Sequence, residues 1–118
     1  MATIKIAQSI KINDGAFKYS KRDSFDVTQT GSGGGNPGKV SLTTSETTVS
    51  FGSVSTPRIV RMVNIGDTNA FNYGFSTGNL DGEIGPGESY TIKLKSGASL
   101  ILAAAASTTD AIVHGFQE

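Results

Sequence analysis

The chain has no cysteine, no tryptophan, three prolines and a single histidine, and its ten basic residues are cancelled by ten acidic ones. Each shortage closes a class of function. Without cysteine there are no disulfides, thiolate nucleophiles, zinc ribbons or iron–sulfur clusters, and the lack of bridges suits synthesis in a reducing cytosol. With His114 the only histidine, scattered carboxylates cannot complete a tetrahedral zinc site, and a Ser–His–Asp triad would have to be built around that one residue. No cofactor or metal site is expected. A net charge of zero supplies no positive field to release counterions from nucleic acid or to hold an anionic membrane, so neither is expected as a partner. The opening segment carries Lys5 and Lys11 within its apolar stretch, which rules out a signal-peptide core or a membrane span there.

What the chain does have is β-branched. Isoleucine outnumbers leucine ten to five and thirteen threonines are added; such stiff side chains favour the pleated sheet over the helix. From Ile59 to Phe116 short alternating runs are each closed by Gly, Asn, Asp, Ser or Pro: 58–65, 71–75, 90–95, 100–102 and 111–116. That spacing predicts an antiparallel β-sandwich, jelly-roll-like, with about eight to nine short strands and little or no helix. The segment Leu100 to Ala106 has helix propensity, but it is short and uncapped, and it reads as a strand buried on both faces running into small residues.

The first half is less regular. Ile4, Ile6, Ile10 and Ile12 share even parity, with Lys5 and Lys11 on the other face, which predicts one long strand. Asn13-Asp14-Gly15 is a hairpin turn signal, so Ala16 to Thr30 should fold back; there Phe17, Tyr19, Phe25 and Val27 share odd parity, and the charged run 18–23 suggests a solvated edge. Residues 31–38, five glycines and a proline among eight, read as a flexible loop. The 118 residues are expected to form one domain: 1–30 an N-terminal strand and edge segment, 31–38 the loop, 39–118 the sandwich core.

No constellation of residues outweighs its bland explanation. Gly33 to Lys39 matches part of a phosphate-binding loop, but Val40 stands where a Ser or Thr hydroxyl is needed and a strand follows instead of a helix. His114 lies mid-strand with the parity of Ile112 and Phe116, as a structural histidine would. Asp67, Asn69, Asn79, Asp81 and Glu83 offer loop oxygens for calcium, yet Asn and Asp are also what turns select. Asp81, Glu83 and Glu88 could pair as glycosidase carboxylates, but Phe71, Tyr73 and Phe75 at alternate positions of one strand are core residues by default, with a carbohydrate platform the alternative.

The segment 58–69, then Tyr73-Gly74-Phe75, then Ile84-Gly85-Pro86-Gly87-Glu88-Ser89-Tyr90, resembles small β-sandwich virion proteins of tailed bacteriophages. The likeness is one of pattern over about the last sixty residues: a strand ending in a V-x-N turn, a G-F strand and a P-G-E turn. It implies a non-enzymatic structural protein of the virion, made in the host cytoplasm. Such a protein is a capsid decoration (cement) protein bound to the major capsid protein or, alternatively, a tail, fibre or head–tail component. A homo-oligomer follows, a trimer if it occupies capsid three-fold positions. A lectin-like module holding glycans around Asn69, Asn79 and Asp81 is the rival. Partner contacts are expected from the irregular first half, at Ile4, Ile6, Ile10, Ile12, Lys18, Tyr19, Lys21 and Arg22, where strand edges can join a neighbour's sheet.

Overall fold

A computed structural model describes residues 2–29, 34–54 and 56–117, and they contain ten strands and no helix. They fall into two compact units, Met1–Gly31 and Ser32–Gln117. The first is a single antiparallel hairpin of β1 (Ala2–Asp14) and β2 (Phe17–Gln29). Its two-residue loop is Gly15-Ala16, one residue beyond the Asp-Gly centre expected; Gly15 has φ 50° while Asp14 still pairs with Phe17. A positive φ at the first loop position alone is the type II′ pattern, whose twist matches that of the strands.

The second unit holds eight strands: β3 (Gly34–Leu42), β4 (Thr47–Thr48), β5 (Pro57–Asn64), β6 (Phe71–Gly74), β7 (Gly82–Ile84), β8 (Ser89–Lys93), β9 (Ile101–Ala104) and β10 (Thr109–Gln117). They form two four-stranded antiparallel sheets, ordered β3-β10-β5-β8 and β4-β9-β6-β7. The pairs β3–β10, β4–β9, β5–β8 and β6–β7 nest first with last. This is a long hairpin, with limbs β3 to β6 and β7 to β10, rolled into two sheets. The expected jelly-roll sandwich is thereby present.

Alternation does the sorting. Along β10 Thr109, Ala111, Val113 and Gly115 are buried, and the residues between them half-buried. Val60 and Met62 of β5, Phe71 of β6, Leu102 and Ala104 of β9 and Leu100 beside it close the core with Leu42, Val49, Phe51 and Ile84. All four residues of β9 are buried, as a strand covered on both faces requires.

The glycine-rich stretch departs from expectation. Residues 31–33 lie outside the described residues, but Gly34 to Gly38, expected as flexible loop, belong to β3 and pair with Phe116, Gly115, His114 and Val113. The sandwich therefore begins at Gly34 and not at residue 39. Composition missed the distant partner β10, and β3 is an outer strand, where a proline without an N–H is tolerated. The short β4 pairs with β9 at Thr47 and Thr48, and Val49 N–H donates to Leu100 O just beyond it.

One end of the sandwich is tied by a buried amide. Asn64 is fully buried. Its Nδ2 donates to the carbonyls of Asn69 (2.9 Å) and Ile84 (3.0 Å), while its Oδ1 accepts from Gly66 N–H (2.9 Å) and Thr109 Oγ1 (3.0 Å). Its main chain adds bonds with Gly87 and Glu88. Three turns that are remote in sequence thus meet on one side chain whose hydrogen-bonding capacity is full.

Candidate interaction surface

The hairpin register decides what its two faces carry. Even residues of β1 stand opposite odd residues of β2, so one face is lined by the pairs Ile4–Val27, Ile6–Phe25, Gln8–Asp23, Ile10–Lys21, Ile12–Tyr19 and Asp14–Phe17. The other carries Thr3–Thr28, Lys5–Asp26, Ala7–Ser24, Ser9–Arg22, Lys11–Ser20 and Asn13–Lys18. The first is largely apolar and the second wholly polar but for Ala7. On the apolar face Ile6 and Val27 are buried, whereas Ile10 is 61 %, Phe17 60 %, Tyr19 48 %, Phe25 45 % and Ile12 41 % exposed. Exposed apolar side chains gathered on one face of a ribbon are a candidate contact surface.

Of the contact candidates read from sequence, Ile4, Ile6, Ile10, Ile12, Tyr19 and Lys21 share this face; Lys18 and Arg22 lie on the opposite one. Phe17, Phe25 and Val27, not among those candidates, stand on the same face as the isoleucines. Their odd parity was the available signal, since a two-residue turn after Asp14 places odd residues beside the even isoleucines. The polar face is held by an exposed ion pair, Lys5 Nζ to Asp26 Oδ2 at 3.3 Å, which stabilises by well under about 1 kcal/mol in water. Among the described residues no third strand joins the hairpin: β1 and β2 form a two-stranded sheet by themselves, an arrangement only marginally stable in water.

The sandwich offers a smaller feature. A groove of about 510 Å³ is lined by Tyr73, Glu83, Ile84, Glu88, Ser89 and Tyr90. The rings of Tyr73 and Tyr90 are 6.0 Å apart and that of Phe75 meets Tyr73 edge-on at 6.4 Å. Tyr73 lies over Gly82, where any Cβ would fall 2.2 Å from its Cζ. Burial, and then the neighbouring Tyr90, push the Tyr73 hydroxyl above its ordinary value of 10.0. Of the aromatic trio, Phe71 is in the core, Tyr73 is half-buried and Phe75 is 52 % exposed. Glu88 is committed to its own turn, accepting from Gly85 N–H at 2.5 Å.

The remaining candidates are dispersed. Gly34 to Lys39 are extended strand and precede no helix. His114 is half-buried between Arg61 and Pro37 of the neighbouring strands. Asn69 donates its amide to Thr108 O, and Asn79 to Ser76 Oγ and Thr77 O. Among the described residues no three His, Asp or Glu side chains are grouped closely enough to hold a metal ion. The chain matches none of the protein families, curated proteins or solved structures with which it was compared.

Proposed function

We propose that this is a non-enzymatic structural protein of a virion, a capsid decoration protein in which the jelly roll is the body and the N-terminal hairpin is the contact arm. One observation carries the reading: a ribbon about 44 Å long, at 3.4 Å per residue, presents five exposed large apolar side chains and two free strand edges. A hairpin of that kind is completed by a partner's surface or sheet. The body is an architecture that serves viral capsid and lectin domains alike, and as an analogy of fold it supports the reading without deciding it. The loops favour a structural role over glycan binding, since Asn69 and Asn79 spend their amides on neighbouring backbone and hydroxyl groups. Tail, fibre and head–tail positions would use the same arm.

The test is co-sedimentation with purified virions from the source that encodes the chain. The full chain is expected to sediment with particles, and a chain lacking residues 1–31 to stay in solution while keeping its β-sheet circular dichroism. A truncated chain that binds equally well refutes the role of the arm. A full chain that neither occurs in nor binds to virions refutes the virion assignment.

A further inference from the structure

The free edge of β2 carries a side-chain sequence that is complementary to itself. On the apolar face its residues run Phe17, Tyr19, Lys21, Asp23, Phe25, Val27: two apolar, a base, an acid, two apolar. On the polar face they run Lys18, Ser20, Arg22, Ser24, Asp26. An antiparallel copy of the same strand, with Arg22 on the two-fold axis, sets Phe17 against Val27, Tyr19 against Phe25 and Lys21 against Asp23, each pair occurring twice. On the other face Lys18 meets Asp26 and Ser20 meets Ser24. Every pair but the central Arg22 with its own copy is apolar with apolar, hydroxyl with hydroxyl, or base with acid, the combinations that stabilise neighbouring strands.

Resting on the reading of the hairpin as a contact arm, we infer that β2 pairs edge to edge with β2 of a second copy of this chain in that register. The result is a four-stranded antiparallel sheet, β1-β2-β2-β1, closed by an isologous two-fold contact. Three features select this arrangement. Sliding the partner by two residues in either direction brings Lys21 against Lys21 or Asp23 against Asp23. Using β1 instead, with its isoleucines matched as Ile4 to Ile12 and Ile6 to Ile10, sets Lys5 against Lys11. Within its own hairpin, Lys21 stands beside Ile10 and Asp23 beside Gln8, so neither charge has an opposite charge directly across from it on β1. The pairing gives an even-numbered assembly, where capsid three-fold positions would call for a trimer, and sets the isoleucine-bearing faces of both hairpins on one side of the sheet, toward the capsid.

Two experiments on the full chain test it. Arg22→Cys supplies the chain's only thiol at the axis, and mild oxidation is expected to give a disulfide-linked dimer, while Lys95→Cys on the sandwich is expected to give no disulfide-linked dimer. Packing of the hairpins face to face would point the two thiols away from each other, so an uncrosslinked Arg22→Cys overturns the edge pairing. Lys21→Asp and Asp23→Lys each place like charges opposite one another twice and are expected to weaken association roughly tenfold. An equimolar mixture of the two restores Asp–Lys pairs and is expected to return to the native mass in light scattering. Single variants that associate like the native chain, a mixture that stays monomeric, or a native chain that is monomeric throughout would each overturn the proposal. Loss of crosslinking with retained binding to virions removes this pairing only; pairing without virion binding removes the virion assignment only.

Discussion

Replacement of Asn64 by leucine is expected to cost the sandwich about 3–5 kcal/mol, enough to unfold much of the population at 37 °C. Leucine has the same branched outline and number of side-chain heavy atoms as asparagine, so no cavity is left behind. It strands the N–H of Gly66, the Thr109 hydroxyl and the carbonyls of Asn69 and Ile84, all partners of the Asn64 amide. An unsatisfied buried group costs about 1–3 kcal/mol, and those near the half-buried Gly66 and Asn69 regain part of this from water. Asn64→Asp separates the two halves of the network. Its carboxylate still accepts from Gly66 and Thr109 but turns an oxygen toward two carbonyls that need a donor. The protonated acid donates to one of them, so the folded state raises the pKa of that carboxyl above the unfolded value of about 3.9. With a raised folded pKa the variant holds its stability below about pH 4 and loses it as pH rises through the folded pKa. Urea melts of both variants at pH 4 and pH 7 check this. Equal destabilisation of Asn64→Asp at the two pH values contradicts the assigned hydrogen-bond directions.

Truncation of Phe71 is the second large effect. The side chain is fully buried, paired in its sheet with Ile84 and Ala104, and Phe71→Ala is expected to destabilise by about 3–5 kcal/mol through lost burial and the cavity left behind. Tyr73→Ala, two residues along the same strand, is expected to cost less, about 1–2 kcal/mol, because its ring packs against the rim of the core but stays half exposed at the groove. The ratio matters more than either value. Similar costs at both positions would mean that the aromatic strand packs as one unit and that Tyr73 is core.

Much of the architecture was legible because it is local. The alternation of 111–116 and the even parity of Ile4 to Ile12 are statements about single strands, and both hold, although β10 begins two residues earlier at Thr109. The hairpin's apolar face needed one further fact, the loop length after Asp14, which sets odd residues beside even ones. What could not be read depends on remote partners. Gly34 to Gly38 are strand only because β10 lies beside them. Asn64 lies unremarked within the predicted run 58–65, and its hydrogen-bond partners come from residues 66, 69, 84 and 109, brought together by the rolled topology. Likewise Lys18 and Arg22 were grouped with the isoleucines by sequence proximity, and the pleat separates them.

The proposed arm is a hairpin that a second copy completes. Amide hydrogen exchange on the full chain tests this most directly. Among the described residues the β2 amides that point away from β1 have no strand neighbour. They are expected to be protected at high protein concentration and to exchange freely on dilution, while the amides of β5 and β9 are unchanged. Outward β2 amides that exchange freely at every concentration, or that stay equally protected at every concentration, would contradict it.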